Sequence, residues 1–188
     1  MFSSPRWMAS LGLVIALGAV TACDSDVAGP DLADTQVLSA SQSPGSFDFA
    51  PDVQRDLAAL RAYASGLHNL DRAMDAGFDT QLTECRDNPP VGGMGYHYGY
   101  LSRIEGAAPQ VLEPEILVFA PKSNGGIGLA AVEYVVPYGL WEGEAPPVLF
   151  GQSFNRNDGD GVWQLHVWLW RHNPAGVFQD WNPAVSCS

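Results

Sequence analysis

The sequence predicts an α+β fold, with one N-terminal helix packed on a mostly antiparallel β-sheet. Three observations lead there. Apolar residues recur at Val53, Leu57, Leu60, Ala64, Leu67 and Met74, the three-four spacing of a single buried helical stripe. From Cys85 onward the chain turns to short β-branched and aromatic runs punctuated by Pro and Gly, as strands joined by turns require. The helix comes first and the strands cluster after it, which favours segregated α and β layers over alternating βαβ units.

The helix is expected over residues 51–76. Pro51 suits its first turn and Gly77 its C-terminal stop, while Gly66 is a place for a break or a close contact. Arg55, Asp56, Arg61, Asp71 and Arg72 would face water. Strands are expected near Gly95–Leu101, Glu115–Ala120, Gly128–Val136, Val148–Phe150 and Val162–Trp170. Lys122-Ser123-Asn124-Gly125-Gly126 reads as a hairpin connector and Asn155–Gly161 as a second turn. No internal repeat is visible, and residues 48–188 read as one globular domain.

Residues 1–22 have a different character. Arg6 gives a short positive start, Leu11–Val20 an apolar run too short for a bilayer-spanning helix, and Val20-Thr21-Ala22-Cys23 closes it. This segment resembles the lipobox of bacterial lipoproteins. The resemblance implies cleavage before Cys23, diacylglyceryl and fatty-acyl (palmitate-type) modification there, and anchorage to a lipid bilayer; an ordinary signal peptide cut nearby is the alternative. Several acyl chains would hold firmly, since each buried CH₂ contributes about 0.8 kcal/mol. Residues 23–47, rich in Ser, Asp, Gly and Pro, read as a flexible tether. The expected location is the cell envelope, facing the periplasm or the exterior.

Composition narrows the partners. Nine Lys and Arg against 21 Asp and Glu give a net charge of −12, which excludes a basic nucleic-acid-binding surface. With Cys23 lipidated, Cys85 and Cys187 remain as one pair, expected to form a disulfide in an oxidising space; free thiols or a metal-ligating pair are the alternatives.

Candidate chemistry sits on three strands. In Gly95-Tyr96-His97-Tyr98-Gly99, period-two alternation puts the tyrosines on one face and His97 on the other, beside two glycines that would leave open space. Glu133 is the one charge in Leu129–Val136, and a buried carboxylate is costly unless paired or metal-bound. His166 shares a face with Gln164 and Trp168, opposite Trp163, Leu165, Val167 and Leu169. Convergence of His97, Glu133 and His166, with His172 as a fourth candidate, would bind a divalent metal, Zn²⁺ or Fe²⁺, and leave positions open. The alternatives are a metal-free ligand pocket and a hydrogen-bonded structural network. His68 reads as a core-edge residue.

Two Asn-Pro pairs mark Trp170–Pro183 as an ordered loop, in which Trp168, Trp170, Phe178 and Trp181 could rim a pocket and stack on a flat ligand or else cap the core.

The blocks Gly93–Tyr98, Pro114–Phe119, Val132–Tyr134, Leu165–Trp170 and Asn173–Phe178 resemble a group of uncharacterised bacterial secreted proteins, from about Asp52 to Cys187. That resemblance carries no established activity. Val132-Glu133-Tyr134 followed by a His-bearing strand is also similar to plant oil-body-associated proteins, with no function carried over.

Several chemistries are excluded. Gly151-Gln152-Ser153-Phe154-Asn155 lacks the second Gly of a nucleophile elbow, no phosphate-binding G-x-x-x-x-G-K-[ST] loop exists, and Lys122 is the only lysine. Asn155–Gly161 lacks the glycine spacing of a calcium loop. The expected function is a small-ligand or metal-binding module of the envelope, with a metal-dependent enzyme at the same residues or a structural envelope protein as rivals.

Overall fold

A computed structural model describes residues 49–188 apart from residue 107. The expected signal segment, the tether and Cys23 lie outside the described residues. Those described belong to one compact unit, Gln42–Ser188. The protein is mixed α and β, with few helices and one principal antiparallel sheet.

Helix α1 spans Pro51–Ala64 and α2 spans Leu70–Asp75, so the continuous helix expected over 51–76 is two helices. The break falls at Gly66. Beyond it the Asn69 side chain accepts a hydrogen bond from the Arg72 amide at 3.1 Å, a new N-cap that restarts the chain in a fresh direction. The expected stripe follows suit: Val53, Leu57, Leu60 and Ala64 are buried, whereas Met74 is exposed and Ala73 is buried instead.

The sheet contains β1 (Thr80–Asn88), β2 (Gly92–Gly99), β3 (Ile116–Pro121), β4 (Ile127–Pro137), β7 (Asn155–Asn157) and β8 (Val162–Trp168), in the order β1-β2-β3-β4-β8-β7. All neighbours are antiparallel. A short helix α3 (Leu101–Ile104) follows β2, and β5 (Val148–Leu149) pairs with β6 (Gln152–Ser153) in a small separate ladder. The Lys122–Gly126 connector closes the β3–β4 hairpin through reciprocal backbone bonds of Lys122 with Gly126 and Gly125. Asn155–Gly161 is β7 plus the turn into β8. Its Asp158 and Asp160 carboxylates are paired with Arg156 and Arg86, as a hairpin and not a calcium loop would have them. Strand β1 was not among the expected strands, and β8 ends at Trp168, not Trp170.

Strand alternation sorts the core into two faces. Leu117, Phe119, Val132, Tyr134, Val136, Leu165 and Val167 join the buried residues of α1 in one cluster. Ile116, Val118, Ala120, Ala131, Val135 and Trp168 form a second, with Val185 from the C-terminal segment. A bulge in β4 opposite Val118 and Phe119 turns both Ala130 and Ala131 to this second face.

The chain end is fastened to the sheet. Cys85 in β1 and Cys187 form a disulfide with Cα atoms 5.7 Å apart. Gly93 and Asn182 exchange backbone hydrogen bonds at 3.1 and 3.0 Å. The two Asn-Pro pairs act alike. Asn173 accepts from the Ala175 amide and donates to the Trp181 carbonyl; Asn182 accepts from the Ala184 amide and donates to the His172 carbonyl. Each asparagine thus closes its own turn and ties it to the other arm of the loop.

Candidate metal centre

His97, Glu133 and His166 come together on the second face of the sheet, with one ligand atom from each lying within 4.8 Å of the others. Glu133 and His166 are direct cross-strand partners on β4 and β8. His97 reaches across β3 from β2. The His97 Nε2–Glu133 Oε2 distance is 3.5 Å and the His166 Nε2–Glu133 Oε1 distance is 3.7 Å. Each imidazole therefore addresses a different oxygen of the same carboxylate, at a separation longer than an ordinary N–H···O hydrogen bond. The two rings are 5.8 Å apart and nearly perpendicular.

The remaining ring nitrogens face oxygen atoms behind the cluster. Thr83, the β1 partner of His97, shares a hydrogen bond with His97 Nδ1 at 2.8 Å. Asp180, from the Asn-Pro loop, has Oδ1 3.4 Å from His166 Nδ1, and is itself held by Asn155 Nδ2 at 3.2 Å from each carboxylate oxygen. Oxygen partners of this kind fix ring orientation and leave Nε2 for a metal. Yet neither nitrogen of the wholly buried His166 has a hydrogen bond of good geometry, an arrangement that buried polar groups rarely tolerate without a further partner.

Burial governs the electrostatics. It pushes His97 down to about 3, helped by the neighbouring His166 and Arg86, so its imidazole is neutral at ordinary pH. Burial raises the Glu133 carboxyl, with His166 pulling the other way. Burial also works against charge on His166, but Glu133 and Asp180 outweigh it and hold the imidazole above its usual value. Burial alone would raise Asp180; the contact with His166 brings it below the usual carboxylate range. A dication among these groups would meet the neutral His97, take the place of the proton that Glu133 and Asp180 favour on His166, and supply the counter-charge that a buried carboxylate needs.

Beside His97 and Glu133 opens a pocket of about 300 Å³, walled by residues of β1, β2, α3, β3, β4 and the β7–β8 hairpin. The glycines flanking His97 do not supply this space, contrary to expectation. A Cβ on Gly95, which sits at φ +97°, would lie 2.4 Å from the Phe119 carbonyl oxygen, and one on Gly99 would meet Leu82 at 2.7 Å. Both glycines permit close approach, not a void.

Other expected residues lie elsewhere. His172 is exposed and stands outside the cluster. None of Trp168, Trp170, Phe178 and Trp181 lines the pocket. Trp168 is buried, stacks on His166 with ring centroids 6.2 Å apart and donates to the Gln179 carbonyl. Trp170 meets the exposed His68 edge to face, and Phe178 packs on Phe49 and Phe150. Trp168, Trp170 and Phe178 pack against the core where the loop folds back on the sheet, while Trp181 is half-buried and belongs to neither cluster.

Three polar residues were not foreseen: Thr83, Asp180 and Glu115. The buried Glu115 carboxylate accepts from the Val135 amide at 3.2 Å, and burial lifts its carboxyl to about 8.

Comparison with known protein families, curated proteins and solved structures gives no match. The reading of this site therefore rests on its geometry.

Proposed function

We propose that this chain is an envelope protein that holds a divalent metal ion, zinc or iron(II), on His97, Glu133 and His166 and presents its open coordination positions to a small molecule in the adjoining pocket. The observation that carries this reading is the paired orientation of the imidazoles. Both Nε2 atoms face one carboxylate at 3.5 and 3.7 Å while both Nδ1 atoms face an oxygen behind them. Structural zinc sites are closed by four protein ligands, whereas three ligands and a cavity are the arrangement of sites that bind or transform a ligand. A pocket directly beside the cluster also supports a second reading, a metal-dependent enzyme with Glu133 as ligand.

The setting of the module is part of the same proposal. The lipobox-like segment ending at Cys23 supports export and lipid anchorage, and the Cys85–Cys187 disulfide agrees with an oxidising compartment. Membership of the bacterial secreted group is proposed on the quoted blocks. In this reading helix α1 is the lid of the first face of the sheet, leaving the second face for the site.

Elemental analysis of the purified protein, before and after chelation and reloading, tests the centre. One equivalent of metal is expected, lost in His97→Ala and in His166→Ala. Unchanged metal content in both variants would refute it. Mass spectrometry of the mature N-terminus tests lipidation at Cys23.

A further inference from the structure

The pocket wall identifies the kind of molecule that the centre receives. Its apolar lining is Leu82, Met94, Leu101, Ile104, Ile116 and Val135, beside Glu133. Leu82 is 39% and Leu101 49% exposed. Two leucines that line the cavity are thus left partly in water, where a bound hydrocarbon would cover them.

The polar side of the wall is occupied with itself. Arg86 donates to both oxygens of Asp160 at 2.9 and 3.3 Å. Asn157 donates to Asp160 at 2.9 Å and to Gln164 at 2.7 Å. Thr83 is engaged with His97. What remains for a ligand is an apolar channel ending on the His97–Glu133 corner. Imidazole coordinates without charge and a carboxylate with one negative charge, so a dication on these three ligands keeps one net positive charge, with Asp180 set behind the His166 ring.

Resting on the metal-centre reading above, we propose that the pocket binds a small carboxylic acid with an apolar body, its carboxylate on the metal and its hydrocarbon along Ile116, Val135, Leu82 and Leu101. A cavity of about 300 Å³ is at the small end for ligand sites, which sets the size class, and the exposed leucines extend the apolar track beyond the cavity. A carboxylate would be repelled by Glu133 without the metal, so binding of the acid and of the metal are coupled.

The test uses the protein loaded with Zn²⁺, its metal content measured on the same sample, titrated calorimetrically with octanoate, octan-1-ol and acetate. Octanoate is expected to bind at least tenfold more tightly than either of the others, and its affinity to fall at least tenfold in the metal-free protein. Leu101→Glu, a change at an exposed lining residue, is expected to weaken octanoate several-fold and leave zinc content unchanged. If zinc binds but octanoate does no better than octan-1-ol, or no better than acetate, the inference is wrong and the metal centre stands. Equal binding of octanoate by the metal-free protein would overturn the inference in the same way. If zinc does not bind, the metal centre and this inference fall together.

Discussion

Asp180 Oδ1 lies 3.4 Å from Nδ1 of His166, while Nε2 of the same ring faces Glu133 Oε1 at 3.7 Å. An acid from a C-terminal loop thus stands behind a histidine on a central strand, and the ring is aimed between two carboxylates. Such outer partners typically contribute 10- to 100-fold to metal affinity. Asp180→Asn is therefore expected to weaken zinc binding by roughly that factor while the protein remains folded, as read by competition with a chromophoric chelator and by circular dichroism. An unchanged affinity would mean that Asp180 plays no part in orienting the ring.

Glu115 makes a separate prediction about pH. Its carboxyl is lifted to about 8 by burial, against an ordinary value of about 4.3 in an unfolded chain. Between those values the folded protein holds a proton that the unfolded chain has released, so stability falls as pH rises from about 5 to 8. Glu115→Gln keeps an acceptor for the Val135 amide and removes the proton. It is expected to lessen this slope and to stabilise the protein at pH 8 by on the order of a few kcal/mol, with little effect at pH 4. Denaturant titrations at the two pH values check this; parallel curves for variant and parent would contradict it.

The Cys85–Cys187 disulfide closes a loop with a sequence separation of 102. Chain-entropy arguments put its contribution at up to about 4–5 kcal/mol. Replacing both cysteines by serine should lower stability toward that extent and loosen the segment that carries Asp180, so zinc affinity should fall as well. The measurement is denaturant unfolding of the double variant with and without zinc.

Gly95 is a tightly constrained backbone position two residues from His97. At φ +97°, with the Phe119 carbonyl oxygen 2.4 Å from where a Cβ would be, Gly95→Ala must move β2 away from β3. A loss of about 1–3 kcal/mol is expected, with weakened zinc binding because His97 lies two residues on. Native-like stability and affinity in this variant would show that the close approach is not required.

The centre's own residues were legible because period-two alternation is a strong signal in apolar strands. A lone Glu133 in an apolar strand and a His166 among tryptophans stand out. Thr83 did not, because β1 is an edge strand whose polar residues, Thr80 to Asn88, lack a buried apolar face. Asp180 was hidden for another reason: its loop returns to the sheet through hydrogen bonds of Asn173 and Asn182, a path with no periodicity. The aromatic rim failed on the same return path, which turns Trp168 and Phe178 inward. The helix was foreseen to its break at Gly66, but the Asn69 cap that divides it carries weight only once the chain has turned. Glu115 is the first residue of the expected strand Glu115–Ala120, an end position where alternation gives no sign of burial.

X-ray absorption at the zinc edge of the metal-loaded protein tests the central claim most directly. Two imidazole nitrogens and a carboxylate oxygen at about 2.0–2.2 Å are expected. A spectrum with sulfur neighbours, or one without imidazole scattering, would contradict it.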